Sequence, residues 1–345
     1  MSSTARVEAV DEERPPTTRH LGFVGHLRLG ILLLAAALLT RIPDQAADAL
    51  ARLAGAAWYR WGPAERRRRA RRNLARVAAW LAARGEGPPA VRQAASDRAA
   101  LEALVRRAYT HAARYYLDLA RSARFTPRYL RRHLEIETPE VAAEALGRGA
   151  SIFLGLHLGA VEIPAFYAAL VVGRRPAGPM ETVDDPALQR FFELTRGRAG
   201  IRIFSLAEAR HGLARVLASG EPVGIVADRD VTGSGGYPTE LFGHPAPLPV
   251  GPALLALETG VPVYVVSARW EGPGRYVAAA EALPAPGEGT RRQRLEALLA
   301  AEARAFERAI ARAPDQWWTV FFPIWPDLED GGPSAAEAPG GGERG

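Results

Sequence analysis

From about residue 148 the chain alternates short β-rich runs with helical stretches, and this alternation constrains the fold more than any other feature. Ser151–Leu156, Ile201–Phe204, Val223–Ala227 and Val261–Ala268 read as strands. Helical stretches lie between them, near Val161–Val171, Pro186–Arg196, Leu206–Leu217 and Pro252–Thr259. A final helix, about Thr290–Ala313, precedes a strand expected near Trp317–Phe322. Strands joined through helices pair as a parallel or mixed sheet, because a tight turn joins only antiparallel neighbours. The expectation is an α/β fold with a central, mainly parallel or mixed sheet flanked by helices.

Residues 22–132 are different. Ala, Leu and Arg dominate, apolar positions recur at three and four, and breaks fall at Pro43, Gly62-Pro63, the Gly85–Pro89 stretch and Pro127. One domain is expected over 20–332, with a helical, basic part at 20–135 and an α/β core at 136–332. Residues 1–19 and 333–345 are polar or Ala/Gly/Pro-rich and read as disordered tails.

Of the net charge of +6, the segment Arg60–Arg132 carries nineteen Arg against five acidic residues, +14, which leaves −8 for the rest. A basic third on a mildly acidic remainder predicts one face drawn to a polyanion, either anionic lipid or nucleic acid. Aromatic residues interleave little with the Arg66–Arg76 run, so lipid headgroups rank above nucleic acid, and a solvated helix face is the plain alternative. The long apolar run is Leu29–Thr40, twelve residues, against about twenty needed to span a bilayer. With Phe23, Val24 and Leu27 ahead of it, the run suits an interfacial or re-entrant helix and a membrane-associating N-terminal layer. There are no cysteines, which excludes disulfides, zinc–thiolate sites and a thiol nucleophile.

His157 ends the strand SIFLGLH, between Gly155 and Gly159, with a helix beginning near Ala160. Sites form at the carboxyl ends of strands in such sheets. Glu162 stands five positions on, and in the first turn of the helix its carboxylate could hold the imidazole tautomer. Spacing alone does not separate this from a His satisfied by a carbonyl beside a solvated Glu. The second cluster, VADRDVTGSGG, delivers Asp228, Arg229 and Asp230 to a Gly-rich loop. These residues suit a site-ordering carboxylate and a phosphate-binding guanidinium, or an Asp-x-Asp metal site of a glycosyltransferase, or a plain ion pair on a turn. The loop fits neither a Walker motif nor a dinucleotide fingerprint. Glu181, after PAGPM, could reach the same place. The apolar helix opened by Gly251-Pro252 suits an acyl-chain pocket or ordinary core, and PDQWWTVFFPIWP suits a membrane interface or a closed core.

In order and spacing, the segments RRRRARRNLARV, YTHAARYYLDLAR, HLGAVE, ADRDVTGSG, LFGHPAPLPVGPALLALETGVPV and PDQWWTVFFPIW resemble the lysophospholipid/lipid A biosynthesis acyltransferase family, and within it the phosphatidylinositol mannoside acyltransferases. The resemblance runs from about residue 25 to 328. It implies a peripheral or monotopic enzyme on the cytoplasmic face of the inner membrane, with His157 as general base assisted by Glu162. It also implies family acidic positions at Glu181 and at Asp228 or Asp230. Acyl-CoA or acyl carrier protein is the implied donor and an anionic membrane lipid or glycolipid the acceptor, with no cofactor, no metal and no nucleic acid. A lipid A-type or other lysophospholipid acyltransferase, a metal-dependent glycosyltransferase using Asp228 and Asp230, and a non-catalytic lipid-binding envelope protein are the alternatives.

Overall fold

The structure, a computed structural model, describes residues 21–230 and 236–329; both expected tails fall outside them. The sheet has seven strands in the order β1-β9-β8-β2-β5-β3-β4. They are β1 (Leu134–Ile136), β2 (Ile152–Gly155), β3 (Ala177–Met180), β4 (Arg202–Ser205), β5 (Val223–Val226), β8 (Val263–Gly272) and β9 (Arg275–Ala282). Strands β8, β2, β5, β3 and β4 are parallel; β9 returns antiparallel to β8, and β1 pairs parallel with β9. The mixed α/β architecture expected from the alternation is the one found.

Strand assignments differ at several points, the short β1 (Leu134–Ile136) being one that was not expected. No strand forms over Trp317–Phe322; 3₁₀ turns at Pro314–Gln316 and Trp318–Phe321 replace it. Prolines at 314 and 323 bracket this stretch, and a proline supplies no ladder N–H. Strand β9 (RYVAAAEA) escapes notice because its four alanines look helical until Gly272 and Gly274 turn it back on β8. A separate hairpin, β6 (Tyr237–Leu241) and β7 (His244–Leu248), closes through Phe242-Gly243, both at positive φ (52° and 71°). That pair of angles is the turn matched to strand twist.

The N-terminal helices break at the expected prolines and glycines, and once more before Asp97, whose side chain caps the helix that follows. They span Phe23–Thr40, Asp44–Trp61, Ala64–Arg84, Pro89–Gln93, Arg98–Ala120 and Pro127–His133. Leu74, Leu81 and Leu104 from these helices share one apolar cluster with Ile152, Val223 and Val263 of the sheet. The basic run proves to be largely internal cement. Arg69 pairs with Glu329, Arg71 with Glu102 and Arg76 with Asp327, while Arg66 lies 5.3 Å over Trp58 and 5.9 Å over Phe321 and Phe322.

The first helix is longer than its apolar run, 18 residues. At 1.5 Å per residue that is about 27 Å, close to a bilayer's hydrocarbon thickness, so its length and composition suffice to cross a membrane. None of its residues is buried, and Phe23, Leu27, Ile31, Leu34 and Leu38 form an exposed stripe at steps of three and four. Its C-terminal carbonyls are held from below. Arg121 donates to Leu39 O (3.1 Å) and Ile42 O (2.7 Å), and Arg124 to Thr40 O (3.2 Å) and Ile42 O (3.0 Å). Both also pair with Asp44.

Candidate active site

Two neighbouring strands build the centre. In the register of β2 and β5, Gly155 faces Val226, and Ala227 N donates to Gly155 O at 3.0 Å. His157 and Asp228 each stand two residues past those partners, so the sheet's carboxyl edge brings them to one level. His157 Nδ1 and Asp228 Oδ1 are 2.7 Å apart, and His157 N donates to Asp228 Oδ2 at 3.1 Å. Oδ2 also accepts from Trp317 Nε1 and Thr319 Oγ1, each at 2.7 Å.

Asp228 is fully buried, which by itself would disfavour its charge; His157 and the hydrogen bonds from His157, Thr319 and Trp317 outweigh burial and hold its carboxyl below the usual range. A carboxylate accepting from Nδ1–H fixes the tautomer that leaves a lone pair on Nε2. Among the described residues, no hydrogen bond reaches Nε2. The edge of Trp318 packs on the imidazole, with centroids 4.5 Å apart at 78°.

The segment after His157 is held from two sides. Gly159 N donates to Gln316 O (3.0 Å), Ala160 N to Ala268 O (2.8 Å) and Trp318 N to His157 O (3.0 Å). Gln316 then exchanges two 2.9 Å bonds with the backbone of Trp270 in β8. Gly159 has φ +57°, and a Cβ there would stand 2.2 Å from Ala268 O. This glycine therefore serves a close approach within the protein, not a passing substrate. The N–H groups of Gly159 and Ala160 are already bonded within the protein and are not free to hold an oxyanion.

Glu162 does not hold the imidazole. Its oxygens accept from Arg196 Nη2 (2.5 Å) and Nε (3.2 Å), on the helix Pro186–Arg198. Glu162 directly precedes the short helix Ile163–Tyr167, which widens into a π-type turn at Ala168–Val172. Burial opposes the charge on Arg196, and Glu162 more than restores it, raising the guanidinium further. The half-buried Tyr115 phenol, stacked on Trp318 at 5.2 Å, is pushed up by desolvation and by Glu162. Glu181 pairs with Arg229 at 2.8 Å, and Arg229 lies 4.4 Å over Phe322. Asp230 is half-buried at the last described position before residue 231 and has its own partner. Four N–H and O–H groups surround the Asp228 carboxylate, three at Oδ2 and one at Oδ1, and the described residues contain no cluster of three metal-ligating side chains.

All this opens on a cavity of about 950 Å³. His157, Glu162, Glu181, Arg196, Arg229 and Trp318 are among its lining residues. The rest is mainly apolar and includes Leu254 and Leu255 of the helix Gly251–Thr259. Sequence reasoning noticed the aromatic terminal segment but not its role: Trp317, Trp318 and Phe322 serve the site, and Trp317, Phe321 and Trp325 are buried in the core. Arg196 gave no signal at all, being one arginine among many.

The family profile described as bacterial lipid A biosynthesis acyltransferase matches residues 13–325. A phosphatidylinositol mannoside acyltransferase of Mycolicibacterium smegmatis (strain ATCC 700084 / mc(2)155) is 28% identical over 213 residues, 59% of this chain and 63% of that protein. The match thus covers less than two thirds of that relative's length.

Proposed function

This chain belongs to the bacterial lipid A biosynthesis acyltransferase family, and from that premise we propose that it transfers a fatty acyl group from acyl-CoA or acyl carrier protein to a hydroxyl of a membrane glycolipid. A phosphatidylinositol mannoside is the favoured acceptor, given the resemblance to the mycobacterial enzyme. One observation carries the reading. An imidazole whose Nδ1 is held by a buried carboxylate, and whose Nε2 meets no hydrogen bond among the described residues, lines an apolar cavity large enough for an acyl chain.

Nε2 takes the proton of the acceptor hydroxyl as its oxygen bonds to the thioester carbonyl carbon. The C–S bond then breaks, and the imidazolium returns the proton to the departing thiolate. Asp228 stabilises the transient imidazolium, most strongly because both groups are shielded from water. No covalent acyl-enzyme is required. The Glu162–Arg196 pair forms a wall of the site, and Arg229, exchanging Glu181 for a phosphate, suits an anionic headgroup or donor. The exposed stripe of the first helix suits attachment to the cytoplasmic face of the inner membrane.

The test is His157→Ala in mixed micelles of phosphatidylinositol mannoside with palmitoyl-CoA, followed by thiol release and lipid mass spectrometry. General base catalysis contributes about 10²- to 10⁴-fold, so turnover should fall by that much with unfolding unchanged. Turnover within about threefold of the parent would end the proposal.

A further inference from the structure

The interior strand β5 carries a glycine whose backbone does not call for one. Gly224 lies outside the left-handed region, and a Cβ built on it would meet nothing within 4 Å. A glycine inside a strand costs about 0.5–1 kcal/mol relative to alanine, and a bare one marks a place where something else approaches. Val223 and Ile225 turn to the main apolar core, so Gly224 and Val226 share the opposite face of the sheet. There Gly224 faces Phe153 in β2, and both line the cavity together with Gly155, Val226 and Gly178.

We propose, on the footing of the acyl-transfer reading above, that Gly224 lines the donor's acyl slot and that its missing side chain is what lets the slot admit long chains. Gly224 lies four residues before Asp228 along β5, about 13 Å below the level at which bonds change. An extended backbone advances about 1.2 Å per bond. A chain whose carbonyl sits at His157 therefore passes Gly224 at about its twelfth carbon. The bare position lets a long chain continue toward Pro176 and Ala177, which also line the cavity. A side chain there would end the slot.

The experiment compares the full chain with Gly224→Ala and Gly224→Leu. Transfer from octanoyl-, decanoyl- and palmitoyl-CoA is measured, and in parallel the displacement of bound parinaric acid by octanoate and palmitate. Each buried methylene is worth a factor of about four. Gly224→Leu should lower the ratio of palmitoyl to octanoyl transfer by at least about tenfold, with the same drop in the ratio of displacing affinities. Gly224→Ala should move both ratios the same way by a few-fold, which keeps the test alive if the leucine variant fails to fold. An unchanged ratio in folded variants overturns the proposal, as does a new dependence on the acceptor's chain length instead of the donor's. Shifted displacement ratios without acyl transfer by any form, parent included, would uphold the slot and refute the enzymatic reading instead.

Discussion

Asp228→Asn keeps the side chain's size and changes only what its two termini can accept. The Oδ2 position receives His157 N, Trp317 Nε1 and Thr319 Oγ1, and the Oδ1 position receives His157 Nδ1. With the amide nitrogen at the first position, it confronts two N–H groups that cannot reverse, each mismatch costing about 1–3 kcal/mol. With the nitrogen at the second, it donates to Nδ1 and nothing clashes. The second arrangement is thus favoured by about 2–6 kcal/mol, or roughly 30-fold to 10⁴-fold.

In that arrangement the ring proton sits on Nε2, where it blocks the base. The variant should lose about 10²- to 10⁴-fold in kcat with little change in KM, measured by thiol release from palmitoyl-CoA. Nitrogen-15 shifts of the histidine ring report the tautomer directly. Glu162→Gln, which leaves the His157–Asp228 bond intact, should lose less. Because the Asp228 carboxyl is held below its ordinary 3.8 in the folded chain, the unfolded chain takes up the proton first as pH falls. Its stabilising contribution is therefore present above that value and lost below it. Acid unfolding of Asp228→Asn should lack this component. A folded Asp228→Asn protein with kcat within about fivefold of the parent, or with Nε2 unprotonated, would refute the reasoning.

Two further outcomes follow. Glu302 is fully buried on the helix Arg291–Arg312, and neither carboxyl oxygen meets a hydrogen-bond donor among the described residues. Burial and then Asp228 push it well up, so the parent should lose stability as pH rises above the ordinary carboxyl range, because the unfolded chain ionises first. Glu302→Gln should remove that slope, and Glu302→Leu should stabilise by about 1–3 kcal/mol in denaturant titration; a destabilised leucine variant would show that the carboxyl has a partner. Leu27→Glu with Leu34→Glu should abolish flotation with anionic vesicles while leaving thermal unfolding unchanged, and undiminished flotation would remove the first helix from membrane attachment.

The parts of this molecule legible in the sequence are those where a local rule decides. Proline and glycine ended most of the N-terminal helices where expected, and β-rich runs marked β2, β4 and β5 within a residue, while β8 runs four residues past its expected end. His157 was legible because a strand edge is a recognisable place. Its partner was not, because the register of β2 against β5 is a long-range fact. The nearby Glu162 was the natural local candidate, yet Arg196, thirty-four residues on, takes its charge. The same reason hid Trp317 and Thr319, whose donors matter only once the terminal segment lies across the sheet edge.

Arg121 and Arg124 leave the first helix no hinge at its inner end. A helix anchored there cannot swing out like a boom while the catalytic body stays in water. Insertion of its greasy stripe must tilt the entire molecule, so the angle of the crevice to the lipid plane is set in the folded chain before any bilayer is met.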